Sequence, residues 1–191
     1  MNPAAYLEMA ATESTHWWFT GRRTIITGVL RSLQLPHNAK ILEIGCGTGG
    51  NLTMLGEFGT VSALEKDDTA RAIATERSNG LHVIRAGNCP QDLPAIKEKF
   101  DLIVMLDVLE HIQQDSETLR ALRPLLTKNG RILLTVPANQ WLFGPHDVFL
   151  HHMRRYSASQ LKRTVSHAGL NVLRLTHFNS TLFPLAVVAR A

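Results

Sequence analysis

The distribution of apolar residues changes character near residue 40. Before it, Trp17, Trp18 and Phe19 lead into Arg22, Arg23 and an apolar stripe at Ile25, Ile26, Val29, Leu30 and Leu33. That spacing predicts an amphipathic helix, and Pro36, His37 and Asn38 break it. From Lys40 onward, short apolar runs alternate with helical stretches. Strands are predicted over residues 40–44, 60–64, 81–86, 100–106 and 131–136, and helices over 51–58, 68–78 and 116–127. Asn79-Gly80 and Lys128-Asn129-Gly130 supply turns. Alternating strands and helices predict βαβ units around a parallel sheet. The run 102–106 is apolar at every position, so helices should cover both faces. Past Pro137 the pattern weakens. Residues 138–155 read as a long loop, which in a compact domain is usually functional. Residues 157–168 read as a helix opened by a capping box (Ser157 with Gln160) and stopped by Gly169, and 170–178 as a sixth strand.

Length and composition narrow the class. A chain of 191 residues fits one domain, and 45% hydrophobic with 19% charged residues excludes a disordered or fibrous protein. The net charge of +4 resides in scattered pairs such as Arg22-Arg23 and Arg154-Arg155, so no nucleic-acid partner is expected. Two cysteines cannot build a disulfide framework or a four-cysteine zinc site. Residues 1–21 hold Glu8, Glu13 and His16 and no apolar core of a signal peptide. The longest apolar run, 182–189, is far short of a membrane span and contains Pro184. A cytoplasmic protein, monomeric or homodimeric, is expected.

The stretch Ile41-Leu42-Glu43-Ile44-Gly45-Cys46-Gly47-Thr48-Gly49-Gly50 carries the most chemistry. A strand runs into glycines that permit positive φ and close approach of a ligand, and a helix follows. Glu65 ends the next strand about 20 residues on, where a carboxylate can accept hydrogen bonds from ribose hydroxyls. Two ligand classes use this plan. Gly45-x-Gly47-x-x-Gly50 fits the dinucleotide pattern, which alone is weak. Glu43 would repel a pyrophosphate but could help hold an amino group, and the chain has little room for a separate substrate domain.

Residues 43–49 resemble the first motif of class I S-adenosylmethionine-dependent methyltransferases. The likeness extends over about residues 16–180. His16-Trp17-Trp18-Phe19 with Gly21-Arg22-Arg23 resembles the leader of a small-molecule branch of that superfamily, similar to ubiquinone-biosynthesis methyltransferases. Gly87-Asn88-Cys89-Pro90-Gln91-Asp92-Leu93-Pro94 resembles its G-D-A-x-x-L-P stretch, with Asn88 where Asp is usual. Residues 101–111, 122–137 and 152–156 resemble its fourth-strand motif, its L-x-P-G-G segment and its H-x-R-R-Y sequence. The resemblance implies an α/β, Rossmann-like, doubly wound, mostly parallel sheet of order 3-2-1-4-5-(7)-6. Residues 185–190 are either a shortened seventh strand or a helix that leaves that strand missing. It also implies a helical lid at 1–39 and a cofactor-binding domain at 40–191 with a substrate loop at 138–156.

The cofactor implied is S-adenosyl-L-methionine. On that reading Gly45, Cys46, Gly47 and Gly49 pack against its methionine and ribose portions, and Glu43 helps hold the ammonium. Glu65 takes the ribose, Asn88 and Cys89 meet the adenine edge, and Lys66 flanks the ring. Leu106 and Asp107 face the reacting methyl, and Arg22 or Arg23 pairs with the carboxylate. The acceptor would be a small molecule methylated on O, N or C. A general base is needed only if the acceptor keeps a proton. The candidates are His111 and His152, with His146 and His151 nearby. No metal is expected, because no carboxylate or cysteine stands at tight ligand spacing to the His151-His152 pair. Arg154 and Arg155 suit an anionic acceptor or else anchor the loop. The alternatives are an NAD-dependent oxidoreductase and a non-catalytic cofactor-binding protein of the same fold.

Overall fold

The computed structural model describes residues 3–180 and 183–188. Two helices, α1 (Pro3–Thr12) and α2 (Trp17–Ser32), precede the first strand. His16 caps α2 by accepting the Trp18 amide on Nδ1 at 3.3 Å. The strands are β1 (Ala39–Ile44), β2 (Gly59–Glu65), β3 (Val83–Ala86), β4 (Phe100–Leu106) and β5 (Leu126–Thr135). Between them lie α3 (Leu52–Gly56), α4 (Asp68–Arg77) and α5 (Asp115–Leu122), and three further helices follow: α6 (Pro145–Phe149), α7 (Ala158–His167) and α8 (Phe183–Val188). All paired strands are parallel and the order is β3-β2-β1-β4-β5. The first five strands of the predicted order are thus in place.

Period-two alternation divides the core. Leu42, Ile44, Ile103 and Met105 face one layer, with Leu119 and Leu122 of α5 and Leu161 and Val165 of α7. Ile41, Val61, Leu102 and Val104 face the other, with Leu52 and Leu55 of α3, Ala74 of α4, and Ile26 and Leu30 of α2. The stripe read from the sequence of α2 therefore docks the amino-terminal helix on the α3–α4 side. Trp17 and Trp18 are exposed at 63% and 37%. They stand on the first turn of α2, before the stripe reaches the sheet.

Three local expectations are corrected. The helix over 116–127 ends at Leu122, and Pro124 lies in a single 3-10 turn, Arg123–Leu125, that leads into β5. The turn over 128–130 is absorbed into β5 as a register shift, where the pairing jumps from Phe100↔Leu126 to Leu102↔Arg131. The sixth strand over 170–178 does not form. Alternation there would put Leu170, Val172, Arg174 and Thr176 on one face and Asn171, Leu173, Leu175 and His177 on the other, so neither face is apolar enough for burial. Leu170 and Leu175 pack on the core while Leu173 is 76% exposed. The described part of 185–190 belongs to helix α8, the second of the two alternatives; residues 189–190 lie outside the described residues. Among the described residues β5 is therefore an edge of the sheet.

Candidate functional site

The carboxyl ends of β1, β2 and β4 open into one cavity, roofed by α1 and α2 and walled on one side by the segment after β5. At the end of β1 the chain turns back on β2. The amides of Gly45 and Cys46 both donate to the Leu64 carbonyl, at 2.8 and 3.2 Å. Gly45 has φ +67°, and a Cβ there would come within 2.7 Å of Val108 Cγ2. Gly47 has φ +54° with nothing within 4 Å of a Cβ, so its backbone faces open space. Its amide donates to Glu65 Oε2 at 2.8 Å, and the Asp67 amide donates to Oε1 at 2.9 Å. Two backbone donors thus fix the Glu65 carboxylate against the glycine turn, and each oxygen keeps a second lone pair.

Glu43 and Gly49 stand behind this wall and do not line the cavity. Gly49 is pressed against Ala74 of α4. Glu43 is 1% exposed; Oε1 accepts from Asn51 Nδ2 at 3.1 Å, and Oε2 has no hydrogen-bond partner. Burial pushes its carboxyl up to about 7, against the Asn51 hydrogen bond and with help from the charges of Glu13 and Glu65. Asn51, a residue the sequence reading did not single out, lines the cavity and links it to that buried acid.

Beyond β3, the Asn88 amide donates to Asp92 Oδ2 at 2.7 Å and the Asp92 amide returns to the Asn88 carbonyl at 2.9 Å. This leaves the Asn88 side chain exposed at the rim beside exposed Lys66. Cys89 lies half-buried there, and burial raises its thiol to about 12, so it is a neutral packing group at physiological pH. Burial likewise pushes Cys46 upward.

At the end of β4, Leu106 lines the cavity and Asp107 adopts φ +57°. Strain of this kind persists only where the surroundings hold it. Here the Asp107 amide donates to the Thr135 carbonyl at 3.1 Å, and Thr135 Oγ1 donates to Asp107 Oδ1 at 2.8 Å. Arg22 closes the group from α2, with Nη1 2.5 Å from Asp107 Oδ2. Of the two candidate arginines, Arg22 reaches the ends of β4 and β5. Arg23 donates to the Glu13 carbonyl at 2.7 Å and so ties α2 to the end of α1. The Glu13 side chain in turn accepts from Thr48 Oγ1 at 2.7 Å and pairs with Arg77. Tyr6 of α1 also lines the cavity, and burial followed by the charges of Glu65 and Asp67 raises its phenol to about 12.

The segment after β5 is ordered and not a bare loop. Asp147 of α6 is fully buried and gathers it: Arg155 Nε donates to Oδ1 at 2.9 Å, the Gly144 amide to Oδ2 at 3.0 Å, and His152 Nδ1 lies 2.8 Å from Oδ1. Burial raises this carboxyl, but the hydrogen bonds from Arg155, His152 and Gly144 outweigh it and hold Asp147 well below the usual carboxylate range. Arg154 pairs with Asp115 at 2.9 Å. Both arginines therefore anchor the segment, the second of the two roles they suit. His152 and His111 meet edge to face, with ring centroids 4.7 Å apart, and both line the cavity. His146 is exposed at the rim. Glu110, between Asp107 and His111, is fully buried beneath them, and burial followed by the Asp107 charge raises its carboxyl.

A parallel sheet with a glycine turn after β1 and a fixed acid at the end of β2 defines a Rossmann-like nucleotide-cofactor fold. Residues 17–175 match the methyltransferase domain model, and the chain belongs to that family. It is 32% identical over 110 residues to an uncharacterized methyltransferase of Staphylococcus carnosus, covering 56% of this chain and 51% of that one. It is 29% identical over 128 residues to a mitochondrial ubiquinone biosynthesis O-methyltransferase of Schizosaccharomyces pombe, covering 63% and 46%. The chain thus spans about half the length of these relatives. In fold it resembles the magnesium protoporphyrin IX methyltransferase of Synechocystis PCC 6803, solved with bound SAH, at TM-score 0.62 and 15% identity over 82% of this chain and 76% of that one.

Proposed function

We propose that this chain binds S-adenosylmethionine in the cavity and transfers its methyl group to a small-molecule acceptor. The observation that carries the reading is the unit formed by Gly47 and Glu65: an open, positive-φ glycine hydrogen-bonded to a carboxylate that keeps acceptor capacity toward the cavity. The residues fit the cofactor in two further respects. The unpartnered Oε2 of Glu43 supplies buried negative charge behind Asn51, on the side where an ammonium would lie. Asn88 offers an amide oxygen that can accept from an adenine amino group. The cofactor supplies an activated sulfonium methyl, and the protein's part is mainly to align an acceptor atom with it. Glu65 takes the ribose; Gly45, Cys46 and Gly47 bound the methionine side; Asn88, Cys89 and Lys66 bound the adenine; Leu106 and Asp107 flank the methyl. Helices α1 and α2 act as a lid latched by Arg22–Asp107 and Glu13–Thr48. His111 and His152 face the acceptor. No described helix is long and apolar enough to cross a membrane. The free thiols Cys46 and Cys89 suit the reducing cytoplasm, where we place the reaction.

Titration calorimetry tests this reading. S-adenosylhomocysteine should bind with micromolar-scale affinity, and Glu65→Ala should weaken it by about 1–3 kcal/mol, the cost of losing charge-assisted ribose hydrogen bonds. Heat with NAD and none with the sulfur compound would establish the oxidoreductase reading instead. An unchanged affinity in Glu65→Ala would remove the ribose from this position.

A further inference from the structure

From Tyr6 onward, the less exposed positions of the first helix are Tyr6, Met9, Ala10 and Glu13, while Leu7, Glu8, Ala11 and Thr12 face solvent. Spacings of three and four residues put the first set on one face of a helix. The Glu13 amide donates to the Met9 carbonyl at 2.8 Å, so that face continues one residue past Thr12. Two contacts fix how it lies. Glu13 pairs with Arg77 in the last turn of α4, and its carboxylate accepts from Thr48 Oγ1 at 2.7 Å. A Cβ at Gly50 would run into the same carboxylate, so the last glycine of the turn makes room for the helix. At the other end Tyr6 stands within electrostatic reach of Glu65, which ends β2, and of Asp67, which caps α4. Helix α1 therefore runs antiparallel to α4, with Glu13 at its last turn and Tyr6 at its first. Tyr6 and Met9 both line the cavity.

We propose that α1 is part of the cofactor site: the Tyr6 ring packs on the nucleoside half of S-adenosylmethionine beside Glu65, with Met9 behind it, and Glu13 is the positioning residue that holds the helix there. The inference deepens the proposed function and rests on it. Glu65 and Asn88 address the edges of a ribose and a base through hydrogen bonds, and neither shields a ring face from water. An aromatic side chain does, because every base has an apolar face that stacks on one. A thioether adapts to the edge of an aromatic ring, which suits Met9 to a place behind Tyr6. Burial and the nearby carboxylates keep the Tyr6 phenol protonated at physiological pH, so the cover adds no charge next to the ribose acid.

Glu13 sets this cover from the far end of the helix. Its side chain joins the glycine turn to α4, and its carbonyl accepts from Arg23 of α2 at 2.7 Å. Arg77 also donates to the Thr48 carbonyl at 3.2 Å, so the group that holds the helix is tied to the backbone of the cofactor turn itself. The sequence did not mark Tyr6, because positions 6, 9, 10 and 13 hold a phenol, a thioether, a methyl and an acid, which form no apolar stripe.

The test is calorimetric titration of the full chain with S-adenosylhomocysteine and, in competition with it, with methylthioadenosine, which keeps the nucleoside and the sulfur and has no amino-acid end. Tyr6→Ala should weaken both probes by the same factor, about tenfold, as expected for a lost base–aromatic contact. Tyr6→Phe should stay within about twofold of wild type, since the ring makes the contact. Leu7→Ala, on the outward face of α1 where Leu7 is 61% exposed, should change neither affinity. Glu13→Gln should weaken both probes, and should add nothing to Tyr6→Ala, because it acts through the ring. Unchanged affinity in Tyr6→Ala, an equal loss in Tyr6→Phe or Leu7→Ala, or a loss confined to S-adenosylhomocysteine overturns the cover. Additive losses from Glu13→Gln and Tyr6→Ala overturn the positioning role. If the variants do not fold, hydrogen exchange in the wild-type protein decides: amides of residues 7–13 should exchange more slowly with S-adenosylhomocysteine bound, and unchanged exchange overturns the proposal. Wild-type binding with Tyr6→Ala unaffected refutes this inference alone; wild-type protein that binds neither probe refutes the functional reading and this inference with it.

Discussion

The Glu43 carboxyl lies in β1, with one oxygen on Asn51 and the other without a partner. Burial raises its pKa to about 7. A carboxyl raised on folding contributes stability below its unfolded pKa, near 4.5, and that contribution is lost as pH climbs toward 7. Wild type should therefore lose more thermal stability than Glu43→Gln between pH 5 and 8; parallel pH profiles by scanning calorimetry would contradict the burial argument. An ammonium-bearing ligand favours the carboxylate, so its binding should tighten with pH through the same window and release a proton. The two turn glycines separate packing from binding. Gly45→Ala drives a methyl into Val108 and strains a positive φ, so it should lower stability by about 1–3 kcal/mol. Gly47→Ala also strains a positive φ but projects its methyl into open space, so it should melt above Gly45→Ala while weakening cofactor binding. Equal losses in both variants, measured by melting and by titration, would place Gly47 outside the site. These glycines and Glu65 were legible in the sequence because a strand–turn–helix ending in an acid is a local pattern. Asn51 was not, since its task depends on a neighbour eight residues back that only the fold turns toward it.

The elements most readable from sequence were those with a strong period or a cap. Strands β1 and β4 showed as apolar runs, and the Ser157–Gln160 capping box at α7 forms as expected, with the Ser157 amide donating to Gln160 Oε1 at 2.9 Å. The region 170–178 misled because it is rich in aliphatic residues without alternating them. The segment after β5 was legible only as a gap. Its order comes from Asp147, whose partners Gly144, His152 and Arg155 are side chains and amides that no periodicity connects. Removing one partner of a buried ion pair typically costs about 3–5 kcal/mol. Asp147→Ala should accordingly lower the melting midpoint by on the order of 10 °C. Asp68→Ala, which breaks the exposed Asp68–Arg71 pair, should shift it by about 1 °C or less. Similar small shifts in both would show that Asp147 does not organise the segment.

Across the whole molecule, the cavity is built by segments far apart in sequence. The glycine turn and Glu65 form its floor, α1 and α2 reach over it through Tyr6, Glu13 and Arg22, and the region around Asp147 supplies the remaining wall. The sequence showed the glycine turn and Glu65 as one local pattern and predicted helix in the amino-terminal segment. It could not show that Arg22 meets Asp107 or that Glu110 meets His152, because each contact joins separately folded elements across the end of the sheet. The most direct measurement is a crystal structure grown with saturating S-adenosylhomocysteine. The ribose hydroxyls should lie on Glu65, the homocysteine beside Gly45–Gly47 with its amino group toward Asn51, the adenine along Asn88 and Cys89, and the sulfur toward Asp107. Density for the ligand elsewhere, or a Glu65 side chain turned away from the ribose, would contradict the account.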